Sequence, residues 1–178
     1  MKKNLITTKE FINDSIGEWK SIRSTHTLAF HEFENTKSDI SISSIEIAAG
    51  EVKDLLDKFE FSNQPEFALA IKWKSKSDWI DETQVQKDRT ILVFIPKDIN
   101  SGILIRNKGY VESMHSNSDY LIDDNTLNIK TIYNSTISEE KIWFLSNNVR
   151  TRYSVIKSKQ NGSIIQTSHT SEIRRILI

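Results

Sequence analysis

Apolar and polar residues alternate along most of this chain. The pattern runs through Trp19–Ser24, Ile40–Ile47, Phe67–Lys74 and Thr126–Tyr133. A period of two marks strands with one buried face. Thr90–Ile95 is a near-continuous apolar strand stopped by Pro96, and Ser101-Gly102 turns into Ile103–Arg106. Lys108-Gly109 turns again before Tyr110–His115, and Asp123-Asp124-Asn125 separates Tyr120–Ile122 from the strand at 126–133. A hairpin follows over Glu139–Ser154, with Ser146-Asn147-Asn148 as its turn, because Asn tolerates left-handed backbone. Asn161-Gly162 is the strongest hairpin signal and leads into a last strand from Ser163 to Arg175.

Two segments change period. Thr7 and Glu10 form a capping-box pattern ahead of Phe11, Ile12 and Ile16, with Gly17 ending the helix. Val52, Leu55, Leu56 and Phe59 give an amphipathic stripe over Gly50–Phe59. That helix is expected to pack over the core or plug one end of a sheet. Residues 28–38 read as polar and irregular. About ten short strands with brief turns predict an all-β antiparallel meander, preceded by an N-terminal helix and interrupted by one further short helix. Such a meander usually closes into a β-barrel, which removes exposed edges and can hold a small ligand. No linker divides the chain, so a single domain over 1–178 is expected.

Composition removes several classes of chemistry. The 178 residues carry 24 Lys+Arg against 24 Asp+Glu, so nothing overall favours nucleic acid or an anionic membrane. With no cysteine there is no disulfide, zinc-thiolate site or cysteine nucleophile. The histidines, His26, His31, His115 and His169, lack paired metal spacing. No glycine-rich phosphate loop and no G-x-S-x-G elbow occurs. No apolar run matches a membrane span, and Met1–Thr8 lacks an apolar signal region, so we expect a soluble intracellular protein.

The charged candidates lie on strands. Arg150, Arg152 and Ser154 share one face, and Glu140, Ile142 and Phe144 share a face of the preceding strand. Alternation admits two arrangements. In one, the arginines form a solvated outer face while Val149, Tyr153 and Val155 point to the core. In the other, paired guanidiniums with a carboxylate on the next strand make an anion site. Arg23 shares a face with Trp19 and Ser21. Trp73 lies opposite Ala68 and Ala70, which leave room for something bulky or for a helix, and Trp79 sits in a polar segment.

An ordered set of fragments then carries a resemblance. Trp19-x-Ser21-x-Arg23-x-x-His26, Gly109-Tyr110, Lys141-Ile142-Trp143-Phe144 with Asn148-x-Arg150-x-Arg152, and Ser171-Glu172-Ile173-Arg174 occur in sequence. Together they resemble the S-type phycobiliprotein chromophore lyases, the CpcS/CpeS family, over about Phe11 to Arg174. The family often has proline where Asn147 stands, an aliphatic residue where Thr151 stands and an aromatic near His169.

The resemblance implies a lipocalin-like (fatty-acid-binding-protein-like) β-barrel that holds an open-chain tetrapyrrole, a bilin such as phycoerythrobilin or phycocyanobilin. It implies delivery of the bilin to a cysteine of a phycobiliprotein subunit, in phycoerythrin or phycocyanin, where a thioether forms. The bilin is substrate; no cofactor, metal, nucleic acid or membrane is implied, and a homodimer is compatible. The expected location is cytoplasmic, or the plastid stroma in an alga. Arg150, Arg152 and Arg23 become propionate-clamp candidates, since guanidinium forks match carboxylates. Glu140 and Glu172 become acids that favour the protonated, more electrophilic pigment. Trp73 and Trp79 become groups that stack on or line the pigment, and Ser154 a donor of one hydrogen bond. Two other readings stand beside the lyase: a non-catalytic lipocalin-like carrier of a bilin, haem product or lipid, and an interaction protein whose barrel is filled by its own side chains.

Overall fold

The computed structural model describes residues 6–61, 63–78, 85–108 and 116–176. Helix α1 (Thr8–Ser15) opens the fold, with Thr7 and Glu10 in a reciprocal capping box. Strands β1 (Gly17–Thr27), β2 (Glu32–Ser44), β3 (Phe67–Ser77), β4 (Gln86–Asp98) and β5 (Ser101–Arg106) follow. Helix α2 (Gly50–Leu56) interrupts them between β2 and β3. The second half is a plain meander of β6 (Ser116–Asp123), β7 (Thr126–Ile132), β8 (Thr136–Ser146), β9 (Val149–Ser158) and β10 (Ile164–Arg174). Every strand pairs antiparallel with its sequence neighbours, and β10 pairs with β1 to close the barrel.

Two apolar clusters hold it together. Inside, Phe11 and Ile12 of α1 pack among Trp19, Leu69, Phe94, Leu104 and Ile142, so α1 covers the end where β1 begins. Outside, Val52 and Leu55 of α2 pack on Ala68, Ile91, Val93, Ile95 and Ile105. The small Ala68 thus makes room for α2. Residues on β4 are buried on both faces, which is why that strand reads as a continuous apolar run.

Several boundaries differ from the sequence reading. Residues 32–38 belong to β2, paired with β1 from Glu32 onward. They lack a hydrophobic signal because one face is solvated and the other, at the open end, is polar. Gly17 does not cap α1; it starts β1 with φ 138°, after Ile16 has ended the helix. Helix α2 stops at Leu56 and lies on the outer wall, while α1 covers the end of the barrel. Pro96 lies inside β4, which continues to Asp98 beside a bulge that tolerates the missing N–H. Asn147 and Asn148 do not adopt left-handed backbone. Their turn follows a bulge between Phe144 and Ser146 and is tied down by Arg174, which donates to the carbonyls of Asn147 and Asn148. The left-handed pair is Asp124 and Asn125, at φ 46° and 60°. Asn161-Gly162 sits in a longer loop between Ser158 and Ile164, with Gly162 at φ 73°. The turn at Lys108-Gly109 and the strand at 110–115 fall partly or wholly outside the described residues.

Gly102 faces Pro96 across the β4–β5 ladder. A Cβ there would sit 2.8 Å from Pro96 Cα and closer still to the Ile95 carbonyl. Backbone cannot yield as a flexible side chain does. Gly102→Ala should therefore lower stability by about 1–3 kcal/mol in urea denaturation. Gly50→Ala, with open space around the new methyl, should leave the midpoint unchanged or slightly raised.

Candidate functional site: a charged cavity inside the barrel

The interior is graded along its axis. On β2 the inward residues run Glu34, Thr36, Ser38, Ile40, Ile42; on β3 they run Ser77, Ser75, Trp73, Ile71, Leu69. Both series start polar at the open end and finish apolar above α1. They line a cavity of about 460 Å³, within the roughly 300–1,000 Å³ typical of small-molecule sites. At the rim Glu34 accepts from Ser77, and Asp88 pairs with Lys108, which holds the Asp88 carboxyl below its ordinary value.

Guanidiniums cross the middle of this cavity. Arg23, Arg106, Arg150 and Arg152 all line it. Arg150 on β9 is 3% exposed and ion-paired to Glu172, its direct register partner on β10. Its Cζ lies 4.7 Å from the Trp19 ring centroid, and that of Arg174 lies 4.2 Å away. Trp19 is itself fixed by its indole N–H, which donates to the Ser15 carbonyl at 3.0 Å. Arg174 ties the same corner to α1 by donating to the carbonyls of Ile16 at 2.6 Å and Asp14 at 2.5 Å. Burial pulls Arg150 below its ordinary value; Glu172 opposes this, and the like charges of Arg152 and Arg174 add to it. The group stays cationic, as guanidinium does in proteins.

Glu140 on β8 reaches across β7 and β6 to Arg106 on β5, with Nη2 donating to Oε1 at 2.7 Å. Burial disfavours its charge, but Arg106 and Arg152 outweigh burial and hold the carboxyl below 4.5.

The expected site residues are thus partly assembled. Arg23, Trp73, Arg150, Arg152 and Glu172 share the cavity wall. Glu140 belongs to the same cluster but is only 2% exposed and lies off the wall, paired with a residue that is on it. Ser154 is also off the wall, hydrogen-bonded to Ser168 at 2.7 Å across the β9–β10 ladder. Trp79 lies outside the described residues. The arginines point inward while Tyr153 points out, so of the two arrangements that alternation admits, the solvated outer face is not the one that forms.

Arg106 escaped the sequence reading. In Ile103-Leu104-Ile105-Arg106 both faces are buried, one by α2 and its flanking chain and the other by the cavity. Apolar residues on both sides hid the direction of the arginine. Its only signal was its sharing a face with Gly102 and Leu104.

The family description "CpeS-like protein" matches residues 7–175. The chain belongs to the CpeS-like family. Among relatives, the chromophore lyase CpcS/CpeS 3 of Trichodesmium erythraeum (strain IMS101) is 39% identical, over 93% of this chain and 98% of that protein. The chromophore lyase CpcS/CpeS 2 of Synechococcus sp. (strain JA-3-3Ab) is 33% identical, over 96% and 91%. Among solved structures, the S-type phycobiliprotein lyase CPES from Guillardia theta superposes with a TM-score of 0.82 at 29% identity, covering 97% of this chain and 95% of that one. The ten-stranded barrel expected from the pattern is therefore the fold of this CpeS-like chain.

Two outcomes follow for stability. Arg150→Ala leaves the Glu172 carboxylate buried without its cross-strand cation, and should cost about 3–5 kcal/mol. Adding Glu172→Ala should cost much less than the sum of the single changes in a double-mutant cycle. Glu140 has a folded pKa depressed below 4.5, so its contribution is present above the unfolded value and lost as pH falls through the folded one. Glu140→Gln should flatten the loss of stability below about pH 4.5, measured by urea denaturation across an acid series.

Proposed function

We propose that this chain is a bilin lyase: it binds an open-chain tetrapyrrole and promotes its thioether attachment to a cysteine of a phycobiliprotein subunit. The observation that carries the reading is the charge of the cavity. At mid-depth four guanidiniums, from Arg23, Arg106, Arg150 and Arg152, meet two carboxylates, Glu140 and Glu172, above an apolar floor, while the rim carboxylates Glu34 and Asp88 are engaged by Ser77 and Lys108. A bilin brings two propionates and a long conjugated face, which matches both the excess charge and the lining that Trp73 provides.

The pigment enters with its propionates toward the arginine belt and its ring system against Trp73 and the apolar inward residues. Glu172, beside Arg150, pairs with a protonated pyrrole nitrogen of the bound pigment. A protonated pigment is the better electrophile. The acceptor's thiol adds across a carbon–carbon double bond of the pigment: the carbon–sulfur bond forms as that π bond breaks, and the thiol's proton ends on the conjugated system. The barrel contributes orientation: it fixes which face and which carbon the sulfur meets. The attacking thiol is the acceptor's, so a chain without cysteine is sufficient. Phycoerythrobilin and phycocyanobilin are the pigments we propose, and phycoerythrin or phycocyanin subunits the acceptors.

Co-expression with bilin synthesis and candidate subunits tests this directly. Colour that stays on the subunit after denaturation is expected. Arg152→Gln should lower its yield roughly ten- to a hundredfold, the worth of one shielded charge-assisted bond. Pigment bound by the protein yet never transferred to any subunit would make it a carrier.

A further inference from the structure

Arg106 faces two ways. It lines the cavity, and it also holds Glu140, which does not. Its grip is a single bond, Nη2 to Oε1, and its buried Nε has no hydrogen-bond partner among the described residues. Arg89 shows the contrast on the surface, where both terminal nitrogens fork onto Glu51 at 2.6 Å. A forked carboxylate would satisfy the Arg106 guanidinium better than Glu140 does.

The wall beside Arg106 is built of small polar side chains. Between β5 and β8 the inward residues near Arg106 are Ser116, Ser118, Thr131 and Ser138, all buried and all small. Ser118 and Thr131 hydrogen-bond each other at 2.6 Å, while the hydroxyls of Ser116 and Ser138 have no hydrogen-bond partner among the described residues. Buried hydroxyls are rarely left in that state. Here they make a hydroxyl-lined wall beside the ion pair, with no cation of its own to replace Arg106.

We infer that Arg106 is a ligand-displaced cover over Glu140: a pigment carboxylate draws the guanidinium away, and the uncovered Glu140 takes up a proton and presents it toward the pigment. The inference rests on the bilin reading above. The charged groups that face Glu140 are Arg106 from β5 and Arg152 from β9. Its lateral neighbours, Ile129 on β7 and Ser154 on β9, carry no charge, nor do Ser138 and Ile142 on its own strand. When pigment carboxylates engage both arginines, nothing cationic in that set stays devoted to Glu140. A buried carboxyl left so holds a proton at neutral pH. The proton comes from solvent, and the two propionates replace the carboxylate charge lost to the arginines.

The test counts protons. Calorimetric titration of the whole protein with free-acid phycocyanobilin and with its dimethyl ester, in buffers of different ionisation enthalpy at pH 7, should show roughly one proton more taken up per free acid than per ester. The ester has no carboxylates to draw Arg106, so its uptake is that of the pigment nitrogens alone. Glu140→Gln should bring uptake with the free acid down to that of the ester in the unaltered protein. Should that variant fail to fold, the acid–ester comparison on the unaltered protein decides alone. Pigment binding without uptake would overturn the inference, as would equal uptake with the ester or in Glu140→Gln. Absence of any pigment binding would instead overturn the bilin reading, and this inference with it.

Discussion

An arginine buried without a counter-ion is among the most costly features a protein can carry. This barrel places several in its interior. The structure answers with carboxylates from facing strands: Glu172 beside Arg150, and Glu140 reaching from β8 to Arg106. Removing one partner alone leaves a stranded charge, so the cluster constrains β5, β8, β9 and β10 together. Trp19 extends that constraint to α1, since the Arg150 and Arg174 guanidiniums both sit against its ring and its indole bonds to the helix. The corner that covers one end of the barrel and the corner that holds the buried charge are the same corner.

The charge does not neutralise itself. Below the rim, where Lys108 already pairs with Asp88, four arginines meet the two carboxylates Glu140 and Glu172, and the axial gradient from Glu34 and Ser77 down to Ile42 and Leu69 sets that excess above an apolar floor. Such an interior suits a molecule that is greasy along its body and doubly acidic on one side. Buried ion pairs are weak stabilisers, so the arrangement makes more sense as a preformed receptor than as a fold-holding device.

Much of the architecture was legible because period two is a strong signal wherever one face is buried and the other wet. It failed at the open end, where both faces are polar: residues 32–38 vanished into an apparent loop. It also failed at β5, where both faces are buried and Arg106 lost its direction. The hairpin at Arg150 and Arg152 shows the deeper limit. Alternation separates the faces of a strand but does not say which face is inside when the inside is itself polar. The ordered family fragments supplied that sense, and Arg23, Trp73, Arg150, Arg152 and Glu172 all face the cavity. Ser154 and Glu140 were right in face but are covered, one by Ser168 and the other by Arg106. Lateral partners of that kind leave no trace in spacing.

The central claim is that the arginine-lined hollow is where the tetrapyrrole sits, and a crystal structure of the protein with a bound bilin tests it most directly. The account predicts the pigment inside the barrel, with its rings against Trp73 and its two propionates on guanidiniums drawn from Arg23, Arg106, Arg150 and Arg152. Pigment lodged on the outer wall, or inside with its propionates turned away from those arginines, would contradict it.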